Sequence, residues 1–216
     1  MATISVGGET LTLLPQKAAF LPAHRTLLVA DAHIGKAVSF RKLGVPVPRG
    51  TTTETLGVLS ELIDGLGVRH IVFLGDFLHS VRSHAASTLG AVARWRSRHA
   101  GIALTLVRGN HDDHAGDPPA HLDMTVVDEP LPFGGLALCH HPVARAEGYV
   151  LAGHIHPCVH LSGRAHDRLR LPCFWFADQV GVLPAFGSFT GMHAVQVEAG
   201  DRVFAVADDS VTELPT

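Results

Sequence analysis

Five short polar blocks follow one another along the chain: Asp31-Ala32-His33, Gly75-Asp76, Gly109-Asn110-His111-Asp112, His140-His141 and Gly153-His154-Ile155-His156. Carboxylate, imidazole and amide oxygen form the ligand set of a mixed nitrogen and oxygen site for Mn, Fe or Zn, and no thiolate is needed. A lone Asp-x-His or Gly-Asp occurs by chance in many chains, so the information lies in the order of all five. One carboxylate can bridge two ions. In two-metal hydrolases the ions sit about 3.5–4 Å apart, lower the pKa of a shared water and stabilise charge on the attacked phosphorus. The chemistry indicated is phosphoryl transfer. His154 and His156 are two apart, and on an extended segment they would point to opposite sides. Each can meet a metal only if the backbone turns there, as Gly153 and Pro157 allow.

Such residues must be delivered to one place. Thr26 to Ala30 is a short apolar run that stops at Asp31, Ile71 to Leu74 stops at Gly75-Asp76, and Ile102 to Val107 stops at Arg108-Gly109-Asn110. Each reads as a buried strand with polar residues at its C-terminal end. Helical stretches lie between them. One opens at Thr51 with Glu54 three residues on, a capping box, and repeats Leu56, Leu59, Leu62, Ile63 and Leu66 at helical spacing. The other, Ala85 to His99, carries Leu89, Val92, Ala93 and Trp95, with Arg94, Arg96 and Arg98 on a solvated face. Strand, helix, strand, helix, strand predicts a largely parallel sheet whose strand ends converge along one edge. A hairpin precedes it, Ile4 to Val6 and Thr10 to Leu14 around Gly7-Gly8.

The second half is strand-rich, with short runs at Met124 to Val127, Leu136 to Cys139, Tyr149 to Ala152, Phe174 to Ala177, Val180 to Leu183, Ala194 to Val197 and Val203 to Val206. These predict a second sheet stacked on the first. The fold class expected is α/β: a single-domain αββα sandwich over residues 1–216, two stacked mixed sheets flanked by helices, with residues 209–216 polar and prone to fray.

Composition narrows the setting. The longest apolar runs are strand-length, well short of the roughly 20 residues of a membrane span. No basic-then-apolar leader is visible at Met1 to Thr10, so the expected location is the cytoplasm and no membrane partner is expected. Three cysteines without CxxC spacing argue against a disulfide framework or zinc ribbon. A formal charge of −3 leaves no basic footprint over the whole molecule, so any nucleic-acid contact must be local. Histidine is abundant, 16 of 216 residues, and those outside the blocks, such as His99 and His166, read mostly as surface residues.

The order of the blocks resembles the calcineurin-like metallophosphoesterase superfamily, whose pattern is D-x-H, G-D, G-N-H-D/E, H and G-H-x-H. The resemblance implies that superfamily's fold. It implies that Asp31, His33 and His156 hold a first divalent metal, that Asp76 bridges, and that Asn110, His140 and His154 hold a second. His111 would be the general acid for the leaving oxygen, oriented by Asp112. His140 is preferred to His141 because it directly follows the strand, with His141 as the fallback. His79, three residues past Asp76, and Arg108 are candidates for contact with a substrate phosphate, as is His141.

Longer strings are more discriminating: Asp31-Ala32-His33-Ile34-Gly35-Lys36, Gly44 to Gly50, Leu171-Pro172-Cys173-Phe174-Trp175-Phe176 and Leu183 to Gly191. They are similar to the bacterial ligase-associated DNA-damage-response metallophosphoesterases, from about Leu14 to Ala207. Ala32 and Ile34 depart from the family's commoner Leu-rich string, but neither is a ligand. The resemblance implies a manganese-dependent phosphodiesterase and DNA endonuclease working by a metal-activated water, with Fe or Zn as other ions the ligand set takes. It also implies a DNA-repair setting in functional association with an ATP-dependent DNA ligase, an exonuclease and a helicase. Lys36, Arg41, Lys42 and Arg49 would supply local positive charge, and single-stranded or short DNA is the expected substrate. Two other readings use the same residues: a nucleotide phosphatase or pyrophosphohydrolase, and a metal-binding docking module of a repair complex.

Overall fold

Chain order and sheet order coincide through the first half of the protein, seen in a computed structural model that describes residues 1–42, 44–45, 50–162, 168–188 and 190–215. Strand β1 (Ala2–Val6) turns at Gly7-Gly8 into β2 (Glu9–Leu13), which is followed by β3 (Ala19–Leu21), β4 (Thr26–Ala30), β5 (His70–Leu74), β6 (Ala103–Val107) and β7 (Thr125–Val127). Pairing is antiparallel from β1 to β4 and parallel from β4 to β7. The parallel half needs crossovers, and helices supply them. α1 (Lys36–Lys42) and α2 (Thr51–Leu66) join β4 to β5, α3 (Ala86–Arg98) joins β5 to β6, and α4 (Asn110–Ala115) joins β6 to β7.

Alternation along the strands divides the core. Leu27, Val29, Ile71, Phe73, Leu104 and Leu106 face the helices and pack on Leu56, Leu59, Leu62, Ile63, Val92 and Trp95. Leu28, Ala30, Val72, Leu74 and Val107 point the other way, against Leu136, Leu138, Leu151, Phe174 and Phe204 of a second sheet. That sheet comprises β8 (Leu131–Phe133), β9 (Leu136–Leu138), β10 (Tyr149–Ala152), β11 (Pro157–Ser162), β12 (Arg168–Phe176), β13 (Val180–Val182), β14 (His193–Ala194), β15 (Arg202–Ala207) and β16 (Ser210–Leu214). Its order is β14-β11-β12-β13-β10-β9-β8, with β15 paired to both β12 and β16. The architecture is α/β with two stacked mixed sheets. Among the described residues no helix is long and apolar enough to cross a membrane.

Several expectations are corrected. The run at Met124 to Val127 joins the first sheet, because β7 pairs with β6. No helix follows Leu122 among the described residues, so loop replaces helix outside the second sheet. The run Ala194 to Val197 belongs to that cover: only His193–Ala194 pairs as a strand, and Val195 packs over Val159, Cys173, Val203 and Ala205. Residues 210–214 are strand β16, with Val211 buried, where fraying was expected. Helix α2 begins after Gly50 with no side-chain cap, so Thr51 and Glu54 form no capping box. Arg96 is buried: its guanidinium donates to the carbonyls of Leu122 and His99 and pairs with Asp123, tying α3 to the chain before β7. His99 is buried too, its Nε2 lying 2.9 Å from Ser60 Oγ. Pro46 to Arg49, within the Gly44 to Gly50 string, and His166 lie outside the described residues.

The β2–β3 turn carries a titration of its own. Lys17 is partly buried, its Nζ 3.4 Å from the Gly187 carbonyl, and burial lowers its pKa from 10.5 to about 8. Between these values the unfolded chain binds the proton and the folded chain does not, so folding stability rises with pH across that window. Lys17→Met is expected to raise the melting temperature at pH 7 and to flatten that rise. Thermal melts taken across the window check it; an unchanged slope would contradict the assignment.

Candidate metal centre

In-register parallel pairing sets Ala30, Leu74 and Val107 side by side. The residues that follow, Asp31, Gly75-Asp76 and Arg108-Gly109-Asn110, therefore leave one edge together. β9 and β10 are also parallel and bring Cys139-His140 and Gly153-His154 to the same place from the second sheet. Backbone bonds join the blocks: His33 N–H donates to the Asp76 carbonyl at 2.8 Å, and Gly153 N–H to the His140 carbonyl at 3.2 Å. Of the nine non-glycine residues described with positive φ, five are Asp31, His33, Asp76, His154 and His156. Left-handed backbone costs such residues about 1 kcal/mol or more each, and its concentration here marks a site held in place by its surroundings. The turn expected between His154 and His156 takes this form, at φ 72° and 51°.

The ligand atoms fall into two groups. In the first, His33 Nε2 lies 3.3 Å from His156 Nε2, and His156 Nε2 lies 3.6 Å from Asp31 Oδ1. In the second, His140 Nε2 lies 2.9 Å from Asn110 Oδ1 and 3.0 Å from His154 Nδ1. Asp76 stands between, with Oδ2 3.7 Å from His33 Nε2 and Oδ1 3.5 Å from His140 Nε2. Asp31, His33, Asp76 and His140 are all buried.

Protonation shows what fits there. His140 Nδ1 lies 3.1 Å from the Leu74 carbonyl and His156 Nδ1 lies 2.8 Å from that of Gly191, so each must donate. Their Nε2 atoms then face inward, toward carboxylate and amide oxygens that only accept. Burial, then Lys36 and the neighbouring imidazoles, hold His33 far below the usual histidine range. Burial and the rings of His140 and His141 lower His154 as well. Burial lowers His156 most, but its bond to Asp31, the Asp31 charge and the Gly191 carbonyl together outweigh it, so His156 is raised. Two carboxylates out of water, ringed by imidazoles and an amide oxygen, are the donor set of divalent cations.

The other candidates separate. His111 Nδ1 lies 2.7 Å from the His79 carbonyl, leaving Nε2 4.0 Å from Asp76 Oδ2. Asp112 does not orient that ring, contrary to expectation. Its carboxylate accepts N–H of Gly109 at 3.0 Å and of Leu78 at 3.1 Å, fixing the turn into α4 beside the chain after β5. Burial pushes its pKa up to about 6 against those donors. The His79 ring stacks on His111 with centroids 5.0 Å apart, and burial, Lys36 and His111 lower its pKa to about 4. Arg108 is directed away, gripping Asp117 with two bonds of 2.9 Å and pairing with Asp128. His141 Nδ1 pairs with Glu129 at 3.1 Å, whereas His140 faces Asn110, His154 and Asp76, and both rings lie within reach of an ion shared with His154.

Glu129 was not anticipated. It accepts N–H of His140 and His141 at 2.8 and 2.9 Å and is itself held by Arg145, so it anchors this block from outside. No motif surrounds it, and the carbonyls of Leu74, His79 and Gly191 leave no side-chain signature at all.

The glycine before three of the ligands has a spatial reason. A Cβ on Gly75 would lie 2.0 Å from His140 Nδ1, one on Gly109 2.5 Å from Asp76 Oδ1, and one on Gly153 2.5 Å from Asp31 Oδ2. Each block thus packs its glycine against a ligand from another block. Gly75 also has φ +78°, so Gly75→Ala combines backbone strain with a clash. It is expected to displace His140 and weaken metal binding by about 10- to 100-fold, as loss of ligand support does. Calorimetric Mn²⁺ titration checks this, with circular dichroism confirming the fold; wild-type affinity would contradict it.

No protein-family model matches the chain, and no curated protein matches it. Among solved structures it is similar to the Pseudomonas putida nuclease MPE, with TM-score 0.87 and 43% identity over 99% of each chain. It also matches Yfce, a phosphoesterase from E. coli, at TM-score 0.45 and 14% identity over 88% of this chain and 97% of that one. An Aquifex aeolicus protein of unknown function matches at TM-score 0.40 and 16% identity, over 61% and 78%.

Proposed function

Since the chain belongs to the metallophosphoesterase/nuclease family and is a hydrolytic enzyme of that kind, we propose that it is a binuclear phosphodiesterase and DNA endonuclease of bacterial DNA repair. The observation that carries this reading is Asp76, whose two oxygens face two separate groups of ligand atoms. Asp31, His33 and His156 hold one ion, Asn110, His140 and His154 the other, and Mn²⁺ is the ion assigned. When bound, the two ions supply a nucleophile from water at neutral pH and Lewis-acid stabilisation of the phosphoryl oxygens.

The chain's own groups do the rest. The His79 carbonyl fixes the His111 ring by its Nδ1–H, so the proton for the leaving oxygen is carried at Nε2, on the side of Asp76. That ring opens on a cleft of about 670 Å³ shared with His79, Val81, Arg82 and His114. Lys36 is half-buried near the charges of Asp31 and Asp76, and its ammonium contributes positive charge for a phosphate at the metal edge. With a formal charge of −3 the molecule has little general grip on duplex, which favours single-stranded or short DNA. We place it in functional association with an ATP-dependent DNA ligase, an exonuclease and a helicase, on the strength of the family strings.

Turnover of bis-p-nitrophenyl phosphate against p-nitrophenyl phosphate with Mn²⁺, beside cleavage of single-stranded and duplex DNA, tests the proposal. Diester preference and faster single-strand cleavage are expected. Strong monoester preference would overturn the nuclease reading in favour of a nucleotide phosphatase.

A further inference from the structure

We propose that Arg82 binds a backbone phosphate of the leaving strand, the phosphodiester next to the nucleotide that carries the leaving oxygen; this rests on the nuclease reading. The cleft on which His111 opens is lined by Ser80, Val81 and Arg82 after β5 and by Asn110, His111 and His114 of α4, and no carboxylate lines it. Because His111 delivers the proton to the leaving oxygen, the nucleotide bearing that oxygen lies on the His111 side of the scissile bond. This cleft is the space that the ring opens on.

Arg82 is exposed, and among the described residues its guanidinium has neither an ion pair nor a hydrogen bond. Arg96, Arg108, Arg145 and Arg202 are each committed to a carboxylate. A planar guanidinium with its five donors uncommitted suits the oxygens of a phosphate. Its neighbour Val81 is 66% exposed, second only to Met1 among the exposed large hydrophobics. A cationic and an apolar side chain on one wall match the two halves of a nucleotide, phosphate beside sugar and base.

The segment that presents them is held from beneath. Val81–His84 is a 3-10 turn whose Ser83 is fully buried. Ser83 N–H donates to the Ser80 carbonyl at 2.7 Å, and its Oγ accepts the Ser80 N–H at 3.3 Å. Ser80 Oγ also lies 2.9 Å from Ser39 Oγ of α1. A Cβ on Gly35 would lie 2.7 Å from Ser83 Oγ, so the chain just after His33 packs directly on this turn. The His79 carbonyl, three residues before Arg82, lies 2.7 Å from His111 Nδ1. One short segment thus fixes the acid and carries the arginine, which sets the leaving strand's phosphate in register with the proton donor.

The test is a double-mutant cycle on cleavage at one phosphodiester of a defined single-stranded oligonucleotide with Mn²⁺. The phosphodiester next to the cut on the leaving side is replaced by a neutral methylphosphonate, the leaving side being the product fragment that ends in a hydroxyl. Arg82→Gln is expected to lower kcat/KM on the unmodified strand about tenfold, the scale of one hydrogen bond to a charged group. The methylphosphonate is expected to cost the wild type a similar factor and to cost Arg82→Gln little more. The slope of log kcat/KM against log salt is expected to become shallower by about 0.7 in Arg82→Gln, the value for one phosphate contact on a single strand. A purely structural role would lower both strands equally, so multiplicative losses or an unchanged salt slope would overturn the contact and leave the nuclease reading intact. Coupling to a methylphosphonate on the other side of the cut instead would overturn the placement. A wild-type enzyme that hydrolyses bis-p-nitrophenyl phosphate but no oligonucleotide would overturn the nuclease reading, and this contact with it.

Discussion

Asp76→Asn is expected to lower kcat/KM toward bis-p-nitrophenyl phosphate by on the order of 10³, the scale of losing one preorganised electrostatic group, and to bind fewer than two metal ions per chain. The substitution keeps the shape and keeps Oδ1, which accepts the His111 N–H at 2.9 Å. It removes the charge that faces both ligand groups. In the metal-free protein Asp31 and Asp76 are 0% and 2% exposed, two buried carboxylates with only the half-buried Lys36 ammonium named near both among the described residues. Asp76→Asn is therefore expected to melt at the same temperature as wild type or higher without metal, and to lose most of the rise that Mn²⁺ gives wild type. Metal content and paired melts check both halves. A variant that still binds two ions and gains the full thermal shift would show that Asp76 does not join the groups.

His111→Ala is expected to retain both metals and to lose about 10²- to 10⁴-fold in kcat on DNA, whose alkoxide leaving group needs a proton. On bis-p-nitrophenyl phosphate, with its good leaving group, the loss is expected to be much smaller. Among the described residues the ring is hydrogen-bonded to the His79 carbonyl alone, so its removal leaves the ligand groups standing. Equal losses on both substrates would refute the acid role.

The strands that deliver the ligands were legible because each is a short apolar run ending in a polar block: the predicted Thr26 to Ala30 is β4, and Tyr149 to Ala152 is β10. Glycine before Asp76, Asn110 and His154 was visible as pattern, but its cause, a missing Cβ pressed against a ligand from another block, exists only in three dimensions. Failures share one origin, partners remote in sequence. Arg96 read as solvated because Leu122 and Asp123 lie beyond the next strand, and Arg108 read as a phosphate ligand because Asp117 and Asp128 are nowhere near it in any motif. The family resemblance implied that Asp112 orients His111, yet a carboxylate in the first turn of a helix finds backbone N–H groups closer than its neighbour's ring. The loop cover of the second sheet was hidden because the run Ala194 to Val197 has a strand's composition, although only His193–Ala194 pairs with β11.

The most direct test of the two-metal centre is anomalous diffraction from crystals grown with Mn²⁺. Two anomalous peaks about 3.5–4 Å apart are expected, one among Asp31, His33 and His156, the other among Asn110, His140 and His154, with Asp76 between them. A single peak, or a second one away from Asp76, would contradict it.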